Sequence, residues 1–333
     1  MPGGPVKAVY FEPYPDGAAS CRLCPRGCFL GNGDSGACGA RINRGGAVFA
    51  ASYGRVSAAA LDPVEKKPLY HFFPGRRVFS IGGSGCNLSC VFCQNSAISQ
   101  LSPPTIPMTP AEVAAAGAAD GSIGVAYTYN EPIIAIEYLL DCARAVRRAG
   151  GRNILVTNGF VNPEPLAAML PLVDAMNIDI KAFNNDFYRR LCGGSLEPVL
   201  ETVRTACART HVELTTLIIP GENDAVPELE DLAAWIAGNC GSSTPCHLTA
   251  YHPSYQFGRA AATAAHLRNA GNIFRSRLDH VYLGNLAVPG FSDTVCPACG
   301  AAVVARSGFA ADLSGLRPDG RCAACGADNH IIT

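Results

Sequence analysis

The 333-residue chain has almost no excess of either charge: 26 Lys and Arg stand against 27 Asp and Glu, for a formal net charge of -1. That balance gives no electrostatic footprint for nonspecific binding to nucleic acid or acidic membranes, which needs clustered Lys and Arg. No uninterrupted apolar stretch is long enough to span a bilayer, and the opening Met1-Pro2-Gly3-Gly4-Pro5-Val6-Lys7 lacks the apolar core of a secretion signal. A cytoplasmic protein is expected. In that reducing compartment 16 Cys read as metal ligands rather than bridges, because glutathione and thioredoxin keep thiols reduced.

The thiols are grouped. Cys21, Cys24, Cys28 and Cys38 form one set, Cys86, Cys90 and Cys93 a second, and Cys296, Cys299, Cys322 and Cys325 a third. The other five, Cys142, Cys192, Cys207, Cys240 and Cys246, fall in stretches that read as strands, helices or their connections, and are expected to be small buried hydrophobes. The second set is the most informative. Its CxxxCxxC spacing has no fourth thiol nearby. Zinc in structural sites prefers four ligands, usually delivered as pairs, whereas a cubane iron-sulfur cluster takes one thiolate per iron. A three-Cys loop therefore leaves one iron open to something other than protein.

Cys296-Pro297-Ala298-Cys299-Gly300 and Cys322-Ala323-Ala324-Cys325-Gly326 are paired CxxCG knuckles. They predict a zinc-ribbon-like module with a structural zinc, a rubredoxin-type iron being the alternative; four thiolates stabilise a tail too small to fold on its own core. The N-terminal set is unequally spaced and its metal stays open. Zinc would make it a staple, and a second Fe-S cluster could relay electrons or bind a substrate. Four clustered free thiols without metal would be an oxidation liability.

Between residues 76 and 285, short apolar segments alternate with amphipathic ones, the pattern of repeated βα units around a parallel sheet. Strands are predicted at 78–82, 123–128, 153–157, 175–181, 213–219, 247–251 and 281–283. A helix is expected over 132–148, and another behind Asp224 as N-cap. Six or seven such units suggest an incomplete (β/α) barrel, whose active site would lie at the C-terminal ends of its strands. Asn177, Asp179 and Lys181 alternate with Ile178 and Ile180, so a period of two puts all three polar groups on one face. Either that face contacts a ligand or it holds a plain ion pair.

The CxxxCxxC loop, with Phe92 before its third Cys, resembles that of the radical S-adenosylmethionine (SAM) superfamily. Longer segments extend the resemblance over nearly the whole chain to the AmmeMemoRadiSam-system radical SAM enzymes, relatives of the pyruvate formate-lyase activating enzymes. They are Cys21-Arg22-Leu23-Cys24-Pro25-Arg26-Gly27-Cys28, the run from Asp62 to Phe72, Tyr127-Thr128-Tyr129-Asn130-Glu131-Pro132, Leu191-Cys192-Gly193-Gly194, and the run from Thr215 to Asp224. The resemblance implies an α/β fold: a partial (β/α)6-type radical SAM barrel over 73–288, an N-terminal Cys-rich extension over 1–72, and the zinc-ribbon-like module over 289–333.

It also implies a [4Fe-4S] cluster on Cys86, Cys90 and Cys93 that cleaves SAM reductively, with Phe92 against the adenine. Tyr129-Asn130-Glu131-Pro132 stands where the superfamily usually has Gly-Gly-Glu-Pro, whose backbone receives the cofactor's amino group. Both glycines are missing here, and Asn tolerates unusual dihedrals better than most residues. Thr157-Asn158-Gly159 resembles the third-strand end of the activases, which implies Asn158, like Glu131, among the cofactor-binding residues. Asp179 is expected near the ribose or a cation, and Lys181 near the cofactor's carboxylate. His252, at the end of the sixth strand, is expected either to reach the cofactor or to be a plain structural His. Lys66, Lys67 and His71 could face the mouth or lie in a packed linker. Partners implied are an electron donor such as ferredoxin or flavodoxin, with Memo-like and AMMECR-domain proteins as functional neighbours. Two alternatives remain: an activase of a glycyl-radical enzyme, and a non-catalytic Fe-S/zinc scaffold or redox sensor.

Overall fold

A computed structural model of the chain, described here for residues 6–333, is organised on one eight-stranded sheet. Its strands are β1 (Ala58–Pro63), β2 (Arg77–Gly82), β3 (Ser122–Tyr127), β4 (Arg152–Thr157), β5 (Ala175–Asp179), β6 (His211–Ile218), β7 (Cys246–Ala250) and β8 (Val281–Gly284). They lie side by side in chain order, with β2 to β8 parallel and β1 antiparallel on β2. The sheet is open, with β1 and β8 at its two edges. There are seven parallel strands, one more than a (β/α)6 count, and each predicted strand falls on one of them.

The sequence periodicity explains the layers. The central strands are apolar on both faces: Ile154 and Leu155 in β4, and Ala175, Met176 and Ile178 in β5, are fully buried. That is the signature of a parallel sheet covered on both sides. Helix α1 (Ile136–Arg148) buries Ile136, Leu139, Ala143 and Val146 and turns Arg144, Arg147 and Arg148 to solvent. Its predicted first turn is instead a separate 3-10 turn, Pro132–Ala135. Helix α2 (Val226–Cys240) starts after Ala225 with no side-chain cap. Asp224 is not its N-cap; its carboxylate accepts from Gly221 N–H at 2.8 Å, while Pro227 in the first helical turn lacks the N–H that a cap would satisfy.

Two small antiparallel sheets carry the N-terminal Cys region. The stretch that follows them supplies β1, so the segment read as an extension is hydrogen-bonded into the main sheet. Arg41 and Glu137 form a buried ion pair at 2.8 Å between the Cys region and α1. The C-terminal module is a three-stranded sheet with its own small core of Cys296, Val303, Val304, Cys322 and Ile331. It docks at the N-terminal ends of the strands, away from where the chemistry is expected. Glu213 there accepts from the Tyr70 and His71 N–H groups and meets His211 and His247, and His71 bridges Tyr282 OH and the Asn329 carbonyl. His71 thus staples the linker to the module and does not face the mouth. Among the described residues, no helix is long and apolar enough to cross a membrane.

Candidate active site

The C-terminal ends of β2 to β8 open into a cavity of about 500 Å³, in the range of small-molecule and cofactor sites. Cys86, Cys90 and Cys93 line it together with Phe92, Tyr129, Asn130, Glu131, Asn158, Asp179 and Lys181. Lys66 and Lys67 border it as well. His252 does not: it is exposed, beyond the lining, with Nδ1 3.0 Å from the Ser254 hydroxyl. The turn after β7 carries its side chain outward, and the structure does not bring it to the other residues.

The cysteine loop follows β2, and its shape is imposed from outside. Ser89 N–H donates to the Cys192 carbonyl at 2.8 Å and Val91 N–H to the Leu191 carbonyl at 3.0 Å, so Leu191-Cys192-Gly193-Gly194 backs the loop like a short extra strand. Gly193 has φ of 65°, and a Cβ on it would lie 2.4 Å from Ser89 Oγ; one on Gly194 would lie 2.5 Å from Leu88 Cδ2. Only glycine allows that approach. Cys192, read as a scattered hydrophobe, sits beside Cys90 and raises its pKa.

The thiols are met by donors. Leu88 N–H and Asn158 Nδ2 donate to Cys86 Sγ at 3.4 and 3.5 Å, and Ser99 Oγ lies 3.1 Å from Cys93 Sγ. Burial pushes the Cys86 thiol well up; at Cys90 the Cys192 thiol and burial do so together, while Lys181 favours both thiolates. Two acids that burial holds neutral, with hydrogen-bond donors aimed at Cys86, suit a metal centre whose positive charge would ionise them. The three residues therefore fit an iron-sulfur cluster.

Glu131 is buried and spends its carboxylate on the scaffold: Oε1 accepts from Ile133 N–H (3.0 Å) and Thr157 Oγ1 (2.9 Å), Oε2 from Asn158 N–H (2.8 Å). It ties the end of β3 to the end of β4. Burial pushes its pKa up to about 7 despite these three donors. Asn158 in turn holds Asn87 of the loop at 2.9 Å. Asn130 braces the approach to the loop, accepting from Gly83 N–H and donating to the Gly85 carbonyl, both at 3.0 Å.

Tyr129, not Asn130, takes the left-handed conformation that the missing glycines would have eased, at φ 72°. A non-glycine residue there costs about 1–3 kcal/mol, which its surroundings must offset. They do: its hydroxyl donates to Asp62, and Lys67 Nζ lies 4.4 Å from its ring centre. Asp62 also receives Lys67 at 2.7 Å and Lys66 at 2.9 Å. Burial opposes the Asp62 charge, but these three donors hold its carboxyl well below the usual range. Asp62 received no role from the sequence, although it opens one of the segments that carry the resemblance.

On β5 the polar face divides by depth. Asn177 is used below the cavity, donating to the Pro68 carbonyl and accepting from Thr215 Oγ1. Asp179 and Lys181 reach the lining and pair at 2.6 Å. Burial disfavours the Lys181 ammonium, yet the Asp179 carboxylate holds its pKa above the lysine norm. Phe92 is buried against Phe187 and Phe257, with ring centres 5.6 and 6.4 Å away.

The C-terminal thiols are the tightest set: Cys296 to Cys325 and Cys299 to Cys322 are both 3.7 Å apart, and all four sulfurs lie within 4.8 Å of one another. Four sulfurs at about 2.3 Å from one tetrahedral ion would be about 3.8 Å apart. Among the described residues, no other three His, Cys, Asp or Glu donors gather so closely.

Comparison with known proteins places this geometry. The Radical SAM superfamily profile matches residues 80–235, which contain the end of β2, the cysteine loop and β3 to β6. An uncharacterized protein of Methanocaldococcus jannaschii is 40% identical over 335 residues, covering 98% of this chain and 99% of that protein. The pyruvate formate-lyase 1-activating enzyme of Escherichia coli is 30% identical over 104 residues, 30% of this chain and 42% of the enzyme, so the match spans less than half of that activase. The crystal structure of Streptococcus suis SuiB bound to S-adenosylmethionine superposes with a TM-score of 0.50 over 67% of this chain and 53% of that one, at 11% identity, a likeness of fold.

Proposed function

We propose that the chain, which carries a Radical SAM domain over residues 80–235 and is related to the pyruvate formate-lyase activating enzymes, is an enzyme that cleaves SAM reductively at a cluster held by Cys86, Cys90 and Cys93. The observation that carries the reading is the meeting of three loop thiols with Asp179, Lys181 and Phe92 around one cavity. When bound, a [4Fe-4S] cluster with one open iron supplies an electron to the sulfonium of SAM, giving methionine and a 5'-deoxyadenosyl radical. The protein's part is binding and orientation. Lys181, kept charged by Asp179, offers an ammonium to the carboxylate of SAM. The Tyr129 backbone, fixed in its left-handed turn, presents carbonyls to the amino group, and Phe92 gives the adenine an apolar wall.

Asn158 and Ser99 hold the loop sulfurs by hydrogen bonds, and Glu131 acts through Asn158 as a brace. The likeness to AmmeMemoRadiSam-system enzymes supports Memo-like and AMMECR-domain proteins as functional neighbours, and the four C-terminal thiols suit a structural zinc, about one per chain.

Anaerobic reconstitution followed by reduction should yield 5'-deoxyadenosine and methionine, and Cys86→Ala, Cys90→Ala or Cys93→Ala should each abolish both. An electron paramagnetic resonance (EPR) signal unchanged by SAM in fully metallated protein would remove the reading. The identity shared with the E. coli activase supports a second possibility, hydrogen abstraction from a backbone glycine. A stable glycyl radical signal on a large partner protein would select it.

A further inference from the structure

The N-terminal thiols are four metal-ligating groups that neither the proposed reaction nor the C-terminal zinc site uses. Backbone hydrogen bonds fold the segment on itself: Cys21 N–H donates to the Cys28 carbonyl at 2.8 Å and Gly27 N–H to the Cys24 carbonyl at 3.1 Å. The backbone N–H groups of Leu23, Arg26 and Ala40, each two residues beyond a thiol, face Cys21, Cys24 and Cys38. Leu88 N–H meets Cys86 in the same way.

A second observation is independent of the thiols' spacing. Arg41 is wholly buried and gives Nη2 to Glu137, while its Nε and Nη1 have no partner. The turn that carries Arg41 also carries a thiol: Gly36 N–H donates to the Arg41 carbonyl at 2.8 Å, and a Cβ on Gly36 would lie 3.8 Å from Cys38 Sγ. A buried cation with idle donors is costly unless acceptors and negative charge arrive. An anionic four-thiolate centre supplies both.

The spacing distinguishes between metals. The C-terminal sulfurs close to single-ion distances, whereas the N-terminal ones, like Cys86, Cys90 and Cys93, stay more widely spread. A cubane places each thiolate on a different iron and so holds its ligands farther apart than one ion does. Position suggests the task. None of the four thiols lines the cavity, which speaks against substrate binding. On the inner side, a Cβ on Gly85 would lie 2.2 Å from the Cys38 carbonyl, and the Arg26 guanidinium donates to the Asn87 carbonyl. Gly85 and Asn87 flank Cys86. On the outer side, Cys28 and Cys38 are only half-buried, among exposed Gly27, Phe29, Ala37 and Gly39.

We propose that Cys21, Cys24, Cys28 and Cys38 hold a second iron-sulfur cluster, closed by four thiolates, that passes single electrons from an external low-potential donor to the cluster at Cys86, Cys90 and Cys93. The donor, a reduced flavin or iron-sulfur protein, loses one electron; the second cluster gains it and is re-oxidised by the first. No bond forms or breaks. The electron's destination rests on the function proposed above, whereas the presence of the second cluster does not.

The test begins with the full chain carrying Cys86→Ala, Cys90→Ala and Cys93→Ala together, reconstituted anaerobically with iron and sulfide. It should retain about four iron and four sulfide per chain and give, on dithionite reduction, an EPR signal that SAM leaves unchanged. Iron-free protein with zinc at those thiols would overturn the second cluster. Should the triple variant not fold, Cys28→Ser in the otherwise intact chain should alter the SAM-insensitive signal alone; a spectrum identical to wild type would count against the assignment. In Cys28→Ser, reduction of the SAM-responsive signal by photoreduced flavodoxin should slow by about tenfold or more, a barrier of about 1.4 kcal/mol, while dithionite reduction is unaffected. An unchanged flavodoxin rate would overturn the relay. If the wild-type spectrum ignores SAM but the triple variant keeps its iron, the function proposed above fails and the second cluster stands.

Discussion

Two residues at the end of β3 show how this site is held without the glycines of its relatives. Tyr129 accepts a left-handed backbone because its ring and hydroxyl are fastened to Lys67 and Asp62. Tyr129→Phe keeps the ring and removes a hydrogen bond to a charged, nearly buried carboxylate. It should cost about 1.5–3 kcal/mol in urea denaturation and weaken SAM binding by equilibrium dialysis. Glu131 presents a different balance. Glu131→Ala would strand the Thr157 hydroxyl and Asn158 N–H in a buried place. A loss of about 2–6 kcal/mol is expected, on the basis of about 1–3 kcal/mol for each unsatisfied group. Iron retention in the reconstituted variant should fall with it, because Asn158 reaches Cys86.

At the scale of elements, the cysteine loop owes its shape to the segment Leu191-Cys192-Gly193-Gly194. Gly193→Ala would put a methyl 2.4 Å from Ser89 Oγ in a left-handed conformation. The backbone alone costs about 1–2 kcal/mol, and the contact adds to it by pushing the loop from its backing. The expected outcome is folded protein, by circular dichroism, with reduced iron after reconstitution; Gly238→Ala, with open space around its Cβ, should leave iron content unchanged.

Across the whole molecule, the linker, sheet and C-terminal module meet in a buried polar network around Glu213, remote from the cavity. The His71 and His280 rings lie 4.4 Å apart there. Burial keeps both neutral, lowering His71 well below 6.5 and His280 to about 4. Unfolding frees each to titrate near 6.5, so their contribution is fully present above that pH and is lost as pH falls through the folded values. Stability should therefore fall by roughly 2 kcal/mol between pH 7 and 5 from His280 alone. Urea midpoints over that window should show the slope, and His280→Phe should flatten it. Glu213, which burial opposes but His211 and His247 hold down, adds a further loss below about pH 4.5.

The sequence by itself determined the repeated βα pattern, the seven parallel strands and the three thiol groups, because strand periodicity and ligand spacing are local properties that survive without knowledge of partners. It also marked Asp179 and Lys181 as a pair on one face. It did not determine which polar residues of the resemblance-bearing segments reach the cavity. Glu131 lines the cavity but spends its carboxylate on β4, His252 turns outward, His71 goes to the opposite end, and Asp62, from a stretch assigned to another module, holds Tyr129 from behind the lining. Nor could it show that Gly193 and Gly194 exist to admit Ser89 and Leu88, a contact across about a hundred residues. Those choices belong to tertiary structure, since a buried polar group is placed by the partner that satisfies it, and that partner is far along the chain.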